Sequence, residues 1–430
     1  MEALKKYFLF DERKTNLRTE ILAGVTTFLS MVYIVIVNPS VLSNAGVNFG
    51  GVYIATIIAT VTGTLIMGVS ANYPIAIAPG LGIVAYFVYT VIISMGISWQ
   101  MAFGTAAIAS GIFIILSLTS FREMFINSIP ETLKKAIAAG IGLFIALIGF
   151  RNGHIIMPSE ATMVSFGSYS DQVFILTLVG LIITMILMAL RFHGAIFLGM
   201  ILTALIAKFL GWWNLPDSFF AMPTGFDETF MQLQIGDIAA LAPVIFTLLL
   251  VTLFDTTGTM LGVGRQAGLI KEGYFPNLKS ALMADSVASF VGAFFGTSPT
   301  SAYVESGTGV SAGGRTGFTS VVTAVLFIAM IFFQPLASAI ASLPSVTAPA
   351  LILTGCFMCA NIATINWEEY TEAFPAFLTL VLIPFTYSIT TGIGIGILAY
   401  VILKLATGNL DHVHPLLIVM AILFTYQLSM

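Results

Sequence analysis

Three carboxylates stand where water is scarce. Asp255 lies in "VTLFDTTGTMLG", Asp285 in "ALMADSVASFVG" and Glu305 in "SAYVESGTG", each within a long apolar run. An acid in such surroundings is costly unless it meets a partner, which makes it a functional candidate by default. Glu305 falls where Pro, Gly and small polar residues break a helix, so its carboxylate and the backbone N–H groups of a half-helix could meet the same ligand. Its plainer role is to cap that half-helix. Asp255 heads a stripe of hydroxyls, Thr256, Thr257 and Thr259, with Thr259 one helical turn on along the same face. That pattern suits ligand binding or proton handling, or else a hydrogen bond fastening one helix to its neighbour. Asp285 precedes Ser286 and Ser289 near the end of its run and reads as structural, through a cap or a pair with Lys279. A carboxyl in apolar surroundings can exchange its proton near neutral pH, so proton coupling is chemically within reach.

Other chemistries find little support. Gly309, Val310, Ser311, Ala312 and Gly313 spell G-x-S-x-G, but the nucleophile elbow needs a strand–turn–helix and a nearby His. The four histidines, His154, His193, His412 and His414, fall in loops or at the ends of apolar runs. No H-E-x-x-H and no phosphate-binding loop occurs, which removes zinc peptidases and nucleotide-driven pumps. Cys356 and Cys359 lie three apart in an apolar run without a second pair, and read as packing residues rather than metal ligands. No catalytic residue, metal or cofactor is expected.

The elements that must position the acids follow from composition. Only 36 of 430 residues are charged, where an average soluble chain carries about a quarter, and 58% are hydrophobic. A membrane span takes about 20 apolar residues, so the chain has room for about fourteen. Apolar runs fall at 20–42, 51–70, 74–91, 102–119, 131–150, 172–190, 194–212, 238–263, 279–297, 300–313, 316–336, 348–363, 373–388 and 391–407, with a shorter apolar tail at 413–429. The fold class is therefore an all-α membrane protein. With fourteen spans, fourteen of the sixteen Lys and Arg collect on the side of the N-terminus, and only Arg151 and Lys208 on the other. By the positive-inside rule the N-terminus is cytoplasmic. A net charge of −4, without runs of like charge, gives no footprint for nucleic acid.

The third run, "YPIAIAPGLGIVAYF", and the tenth, "TSPTSAYVESGTGVSAGG", carry Pro, Gly and small polar residues. Each reads as a short extended segment followed by a half-helix, an arrangement tolerated at membrane depth only around a protein-buried cavity. They sit seven spans apart, as in two inverted seven-span repeats. "IPETLKKAIAAGIGLF" pairs weakly with "LPSVTAPALILTGCF", and "GAIFLGMILTALIAKFLG" with "GIGIGILAYVILKLATG".

Longer stretches carry a resemblance: "EILAGVTTFLSMVYIVIVNPSVLSNAG", "IAPGLG", "IPETLKKAIAAGIGLFIALIGF", "LFDTTGTMLGV", "ADSVASFVGAFFGTSPTSAYVESGTGVSAGGRTGFTSVVTAVLF", "TAPALI" and "PAFLTLVLIPFTYSITTGIGIG". In these, and nearly end to end, the chain resembles the AzgA-like branch of the nucleobase–ascorbate transporter superfamily, the proton-linked purine permeases. The resemblance implies fourteen spans in two inverted repeats, a core domain that binds substrate between the third and tenth spans, and a gate domain against which it moves. It divides the chain into a cytoplasmic segment at 1–19, core parts at 20–119 and 238–336, gate parts at 131–212 and 348–407, and an apolar C-terminal segment at 408–430. It also implies a homodimer in the plasma membrane.

By the same resemblance Asp255 and Glu305 hold the base and handle the proton, with Thr259 beside Asp255. Tyr303, Ser306, Thr27 and Val84 are the further expected contacts. A carboxylate suits a purine because it accepts from ring N–H groups. The family's third-span motif usually carries Asn where this chain has Val84, which bears on the choice among guanine, hypoxanthine and adenine. The competing readings are an anion carrier of sulfate-permease-like architecture, whose substrate these carboxylates would repel, and a channel or intramembrane enzyme.

Overall fold

The computed structural model describes residues 2–119, 128–270, 275–409, 411 and 413–429, with side chains to 425 in the last helix. His412 lies outside the described residues, as do Arg122 and Lys271, two of the fourteen basic residues assigned to the side of the N-terminus. The first part of the chain forms α1 (Glu2–Tyr7), α2 (Leu17–Met31), α3 (Ile34–Ser43), α4 (Phe49–Ile66), strand β1 (Ile77–Pro79), the half-helix α5 (Leu81–Ala85), which continues in π-helical turns over Tyr86–Ser94, and α6 (Trp99–Leu118). The next part comprises α7 (Glu131–Asn152), a hairpin of β2 (Ile156–Ser159) and β3 (Met163–Phe166), α8 (Gln172–Ala189) and α9 (Ala195–Phe209). Then come α10 (Phe226–Thr229), α11 (Ile238–Gln266), α12 (Leu278–Phe295), strand β4 (Thr300–Ala302), the half-helix α13 (Ser306–Ser311), α14 (Gly317–Ala329) and α15 (Gln334–Ala341). Finally α16 (Pro344–Cys359), α17 (Tyr370–Phe385), α18 (Ile389–Ala406) and α19 (Pro415–Ser429) close the chain.

Among the described residues ten helices are long and apolar enough to cross a membrane. They coincide with ten of the fourteen apolar runs. The third, seventh and thirteenth runs form shorter apolar helices, and the tenth forms only β4 and α13. Two departures from the expected outline stand out. The first run, expected as one span, is interrupted at Val32 and Tyr33 between α2 and α3, a break that uniform hydropathy conceals. The loop after α7, for which no structure was expected, folds as the β2–β3 hairpin.

Polar caps mark where helices begin. Asn48, Ser98, Asp171, Asp237, Thr316 and Ser388 each accept a hydrogen bond from a backbone N–H in the first turn that would otherwise lack a partner. The N-cap Asp171 also meets His154 Nδ1 at 2.6 Å. That bond holds the Asp171 carboxyl below its ordinary range.

The broken runs follow from backbone chemistry. Pro74 and Pro79 cannot donate, and Pro299 interrupts the later run in the same way. Polar backbone freed at membrane depth must find partners within the protein. Here the two freed segments serve each other. β1 pairs antiparallel with β4 in the register Ile77↔Ala302, Ala78↔Ser301, Pro79↔Thr300. Gly80 N–H donates to Pro299 O, and Tyr303 N–H to Ala76 O, extending the ladder at both ends.

Packing divides the helices into two groups. α2, α3, α4, α6, α12, α13 and α14 surround the strand pair, whereas α7, α8, α9, α16, α17 and α18 pack on one another. The seam between the groups is crossed where α5 meets α7, where α11 meets α7 and α18, where α2 meets α9 and where α3 meets α16. Gly82 permits the first approach, since a Cβ there would collide with Ile141. At the N-terminal end, buried Glu20 ties α2 to the start of α14. It accepts from Thr15 Oγ1 at 2.8 Å, Arg315 N at 2.9 Å, Thr316 Oγ1 at 2.8 Å and Thr319 Oγ1 at 2.6 Å. An anion at a helix N-terminus is favoured both by those donors and by the macrodipole.

Candidate functional site

The strand pair brings the ends of α5 and α13 together, with the middle of α11 alongside. Glu305 stands at the N-cap position of α13, partly exposed, and its Oε1 accepts a hydrogen bond from the Tyr33 hydroxyl at 2.5 Å. Tyr33 is fully buried at the α2–α3 break. Asp255, also partly exposed, lies on α11 beside the Ser301 hydroxyl of β4, and α11 packs against both β4 and α13, which Glu305 caps. The two acids expected to act together therefore share one site.

The remaining expected residues are distributed less evenly. Tyr303 is 5% exposed and donates from its hydroxyl to Pro79 O at 2.7 Å, bracing the strand pair. Ser306 is fully buried, and its hydroxyl accepts from Ala76 N–H at 3.0 Å. Both side chains hold the crossing together through these bonds. Thr259 lies on α11 one turn beyond Asp255 and is nearly buried. Thr27 is buried on α2 with its hydroxyl unpartnered, against Gly309 of α13, where any Cβ would strike that oxygen. Val84 lies fully enclosed on α5, within the hydrophobic core.

Asp285 is structural, as expected, but through partners other than Lys279. Its carboxylate, fully buried on α12, takes hydrogen bonds from Thr256 Oγ1 at 2.6 Å and Thr300 Oγ1 at 2.7 Å instead of pairing with Lys279. Six residues along a helix amount to about 240° of rotation, so the lysine points elsewhere. Thr256 in turn accepts from Ala302 N–H at 3.3 Å, and Ser289 bonds Thr300. The network fastens α11 and α12 to β4, directly behind Asp255.

Other polar residues of the site escaped the sequence. Tyr33 and Ser301 partner the two acids. Asn38 on α3 donates to Thr56 at 2.7 Å and Thr297 at 2.8 Å, anchoring the approach to β4. For Tyr33 and Asn38 the signal was a lone hydroxyl or amide inside an apolar run, whereas Ser301 was one of several hydroxyls in the broken segment.

The site opens to one side. Beyond Asp255, α11 presents Gly258 and Gly262, where a Cβ would meet nothing within 4 Å, and then exposed Arg265 and Gln266. Val304, next to Glu305, is 62% exposed. Gln266 Nε2 donates to Gly307 O at 3.1 Å and Ser311 Oγ at 2.8 Å, which steadies α13. Toward the other side the seam is closed by hydrogen bonds. Thr390 of α18 bridges Tyr86 at 2.8 Å and Thr247 at 2.9 Å, and Thr90 donates to Tyr387 O at 2.5 Å.

Crossed broken helices with partly exposed carboxylates at the crossing are the architecture of a membrane carrier. Comparison with known proteins agrees. A family model, Xan_ur_permease, described as a permease family, matches residues 18–395. Over 98% of this chain and 99% of the relative, the sequence is 49% identical to the guanine/hypoxanthine permease PbuO of Bacillus subtilis. It is 40% identical to the adenine permease AdeP of Escherichia coli, over 99% and 96% of the two chains. Among solved structures, the transmembrane domain of the cyanobacterial bicarbonate transporter BicA superposes with a TM-score of 0.63 at 14% identity, covering 87% of this chain and 97% of that one. The chain belongs to this permease family, within the nucleobase–ascorbate transporters.

Proposed function

We propose that the protein is a secondary active transporter that imports purine nucleobases with protons by alternating access, guanine and hypoxanthine ahead of adenine. The observation that carries this reading is the β1–β4 crossing, which sets Glu305 at the start of a half-helix beside Asp255. The nature of the substrate rests on the relatives, which are named as guanine/hypoxanthine and adenine permeases. In this reading Glu305 accepts from a ring N–H of the base while backbone N–H groups of the half-helices serve its carbonyl. Asp255 carries the proton, with Thr259 next to it. Val84, Thr27, Tyr303 and Ser306 shape the pocket around the base.

The fourteen apolar runs would cross the plasma membrane as two inverted seven-span repeats, with the N-terminus cytoplasmic. The two packing groups would then be the core domain (20–119 and 238–336) and the gate domain (131–212 and 348–407). The conformation, exposed at Gly258 and Gly262 and hydrogen-bonded shut at Thr390, would accordingly be inward-facing. A homodimer fits the exposed apolar faces of α8 and α17, such as Ile182, Ile186 and Phe377.

A carboxylate pair repels anions, which disfavours the anion-carrier reading despite the shared fold. Uptake of radiolabelled hypoxanthine, guanine and adenine into transporter-deficient cells, in sodium-free buffer with and without an uncoupler, tests the proposal. Uphill accumulation of a 6-oxopurine that collapses with the uncoupler is expected, and accumulation indifferent to it overturns proton coupling.

A further inference from the structure

Another opening lies at the far end of the seam. It is a cavity of about 680 Å³ formed where α3, the π-helical continuation of α5, α7 and the start of α16 converge. Its polar lining includes Ser43, Asn44, Tyr89, Arg151, Asn152 and Thr347. Asn44 Nδ2 donates to the Tyr89 hydroxyl at 3.1 Å and Asn152 Nδ2 donates to the same oxygen at 3.3 Å. With both lone pairs engaged, that hydroxyl has its own proton left to give. Ser43 Oγ is buried without a hydrogen-bond partner. Arg151 is exposed at the cavity edge, and among the described residues no acid pairs with it. Two donors, the Tyr89 hydroxyl and the Arg151 guanidinium, thus face one space with no protein acceptor to satisfy them, and Ser43 Oγ lies buried in its wall.

We propose that this cavity is a capture site for 6-oxopurine bases, separate from the Glu305–Asp255 site and occupied before the seam opens. The inference rests on the transporter reading above. A planar ligand with two adjacent acceptors matches the guanidinium fork, and the O6 and N7 edge of guanine or hypoxanthine is such a pair. Adenine presents an amino group in place of O6, so one of the two hydrogen bonds would become a donor facing a donor. The site therefore sorts bases by their 6-substituent. Exposure keeps Arg151 hydrated, so capture is weak and release toward the deeper site is easy. The Asn152–Tyr89 bond also ties α7 to the α5 continuation across the seam. A base that engages Tyr89 competes with this tie, and its arrival loosens the contact that must part for it to enter.

The test is Arg151→Gln, with Arg151→Lys beside it, measured as initial uptake rates normalised to the amount of protein in the membrane. The inference expects the KM for hypoxanthine to rise about fivefold or more in both variants, from loss of the bidentate pair. Maximal rate, the adenine KM or inhibition constant, and the KM for efflux from preloaded cells should stay at wild-type values. An unchanged ratio of hypoxanthine to adenine constants overturns the capture site, as does full rescue by lysine, which keeps the charge but not the fork. Wild-type protein that moves no purine at all overturns instead the transporter reading on which the inference stands.

Discussion

Replacing Glu305 by glutamine separates a substrate-holding carboxylate from a merely structural one. The change keeps shape and leaves an oxygen to which Tyr33 can still donate, as it does to Oε1 at 2.5 Å. What disappears is the anionic acceptor that faces the cleft. A hydrogen bond to a charged group is worth about 1.5–3 kcal/mol, so affinity for hypoxanthine should fall about ten- to a hundredfold. Removing the Tyr33 hydroxyl with Tyr33→Phe strips the carboxylate of its orienting donor without touching its charge, and should cost about 1 kcal/mol, or several-fold in affinity. If both groups act on one ligand contact, the double variant should lose less than the sum of the two single losses. Isothermal titration calorimetry on purified protein in detergent reads all three constants. A Kd for Glu305→Gln within twofold of wild type, on protein of unchanged melting temperature, would refute the assignment and leave Glu305 as a structural partner of Tyr33.

Three further perturbations probe the surroundings of the site. Asp285→Ala removes two charge-assisted hydrogen bonds and orphans Thr256 and Thr300, which should destabilise the protein by about 3 kcal/mol or more; an unchanged melting temperature would contradict the structural role. Val84→Asn places an amide in the half-helix and should change the order of inhibition constants among hypoxanthine, guanine and adenine while proton dependence persists. The same order at normal yield would remove Val84 from the pocket. Thr390→Val breaks the bridge between Tyr86 and Thr247, worth about 1–3 kcal/mol if both hydroxyls are left buried and unpaired. The inward-facing population should drop, read as slower labelling of a Gly262→Cys probe in a Cys356→Ala/Cys359→Ala background; equal labelling rates would refute the latch.

Much of the fold was legible because its signals are local. Charge and Gly/Pro punctuation bound the apolar runs within a few residues of the helices that form, from 131–150 against Glu131–Asn152 to 391–407 against Ile389–Ala406. Pro79, Gly80, Pro299 and Gly307 betrayed the two broken segments, since no helix runs smoothly through such residues. What stayed hidden is long-range. The Tyr33–Glu305 bond joins residues 272 apart, and an apolar run gives no hint of which distant carboxylate its one hydroxyl will meet. The structural role of Asp285 was legible but its partners were not, because Lys279 is near it in sequence but not on the same helical face. Ser306 and Tyr303 flank Glu305 in sequence, but their side chains turn to the strand pair, because backbone freed at the crossing needs partners more than a cleft does. The break in the first span left no trace in hydropathy, a measure blind to which carbonyls lose their i+4 partner.

The most direct measurement of coupled transport is proton entry driven by the base itself. Purified protein is reconstituted in sodium-free liposomes holding a pH-sensitive dye, with membrane potential clamped and no imposed pH difference, and hypoxanthine is added outside. Wild-type protein should acidify the lumen as the base enters. Asp255→Asn should bind and exchange the base without moving protons. Hypoxanthine entry at full rate with no acidification in wild type, or with equal acidification in Asp255→Asn, would contradict a proton carried through Asp255 beside a base held by Glu305.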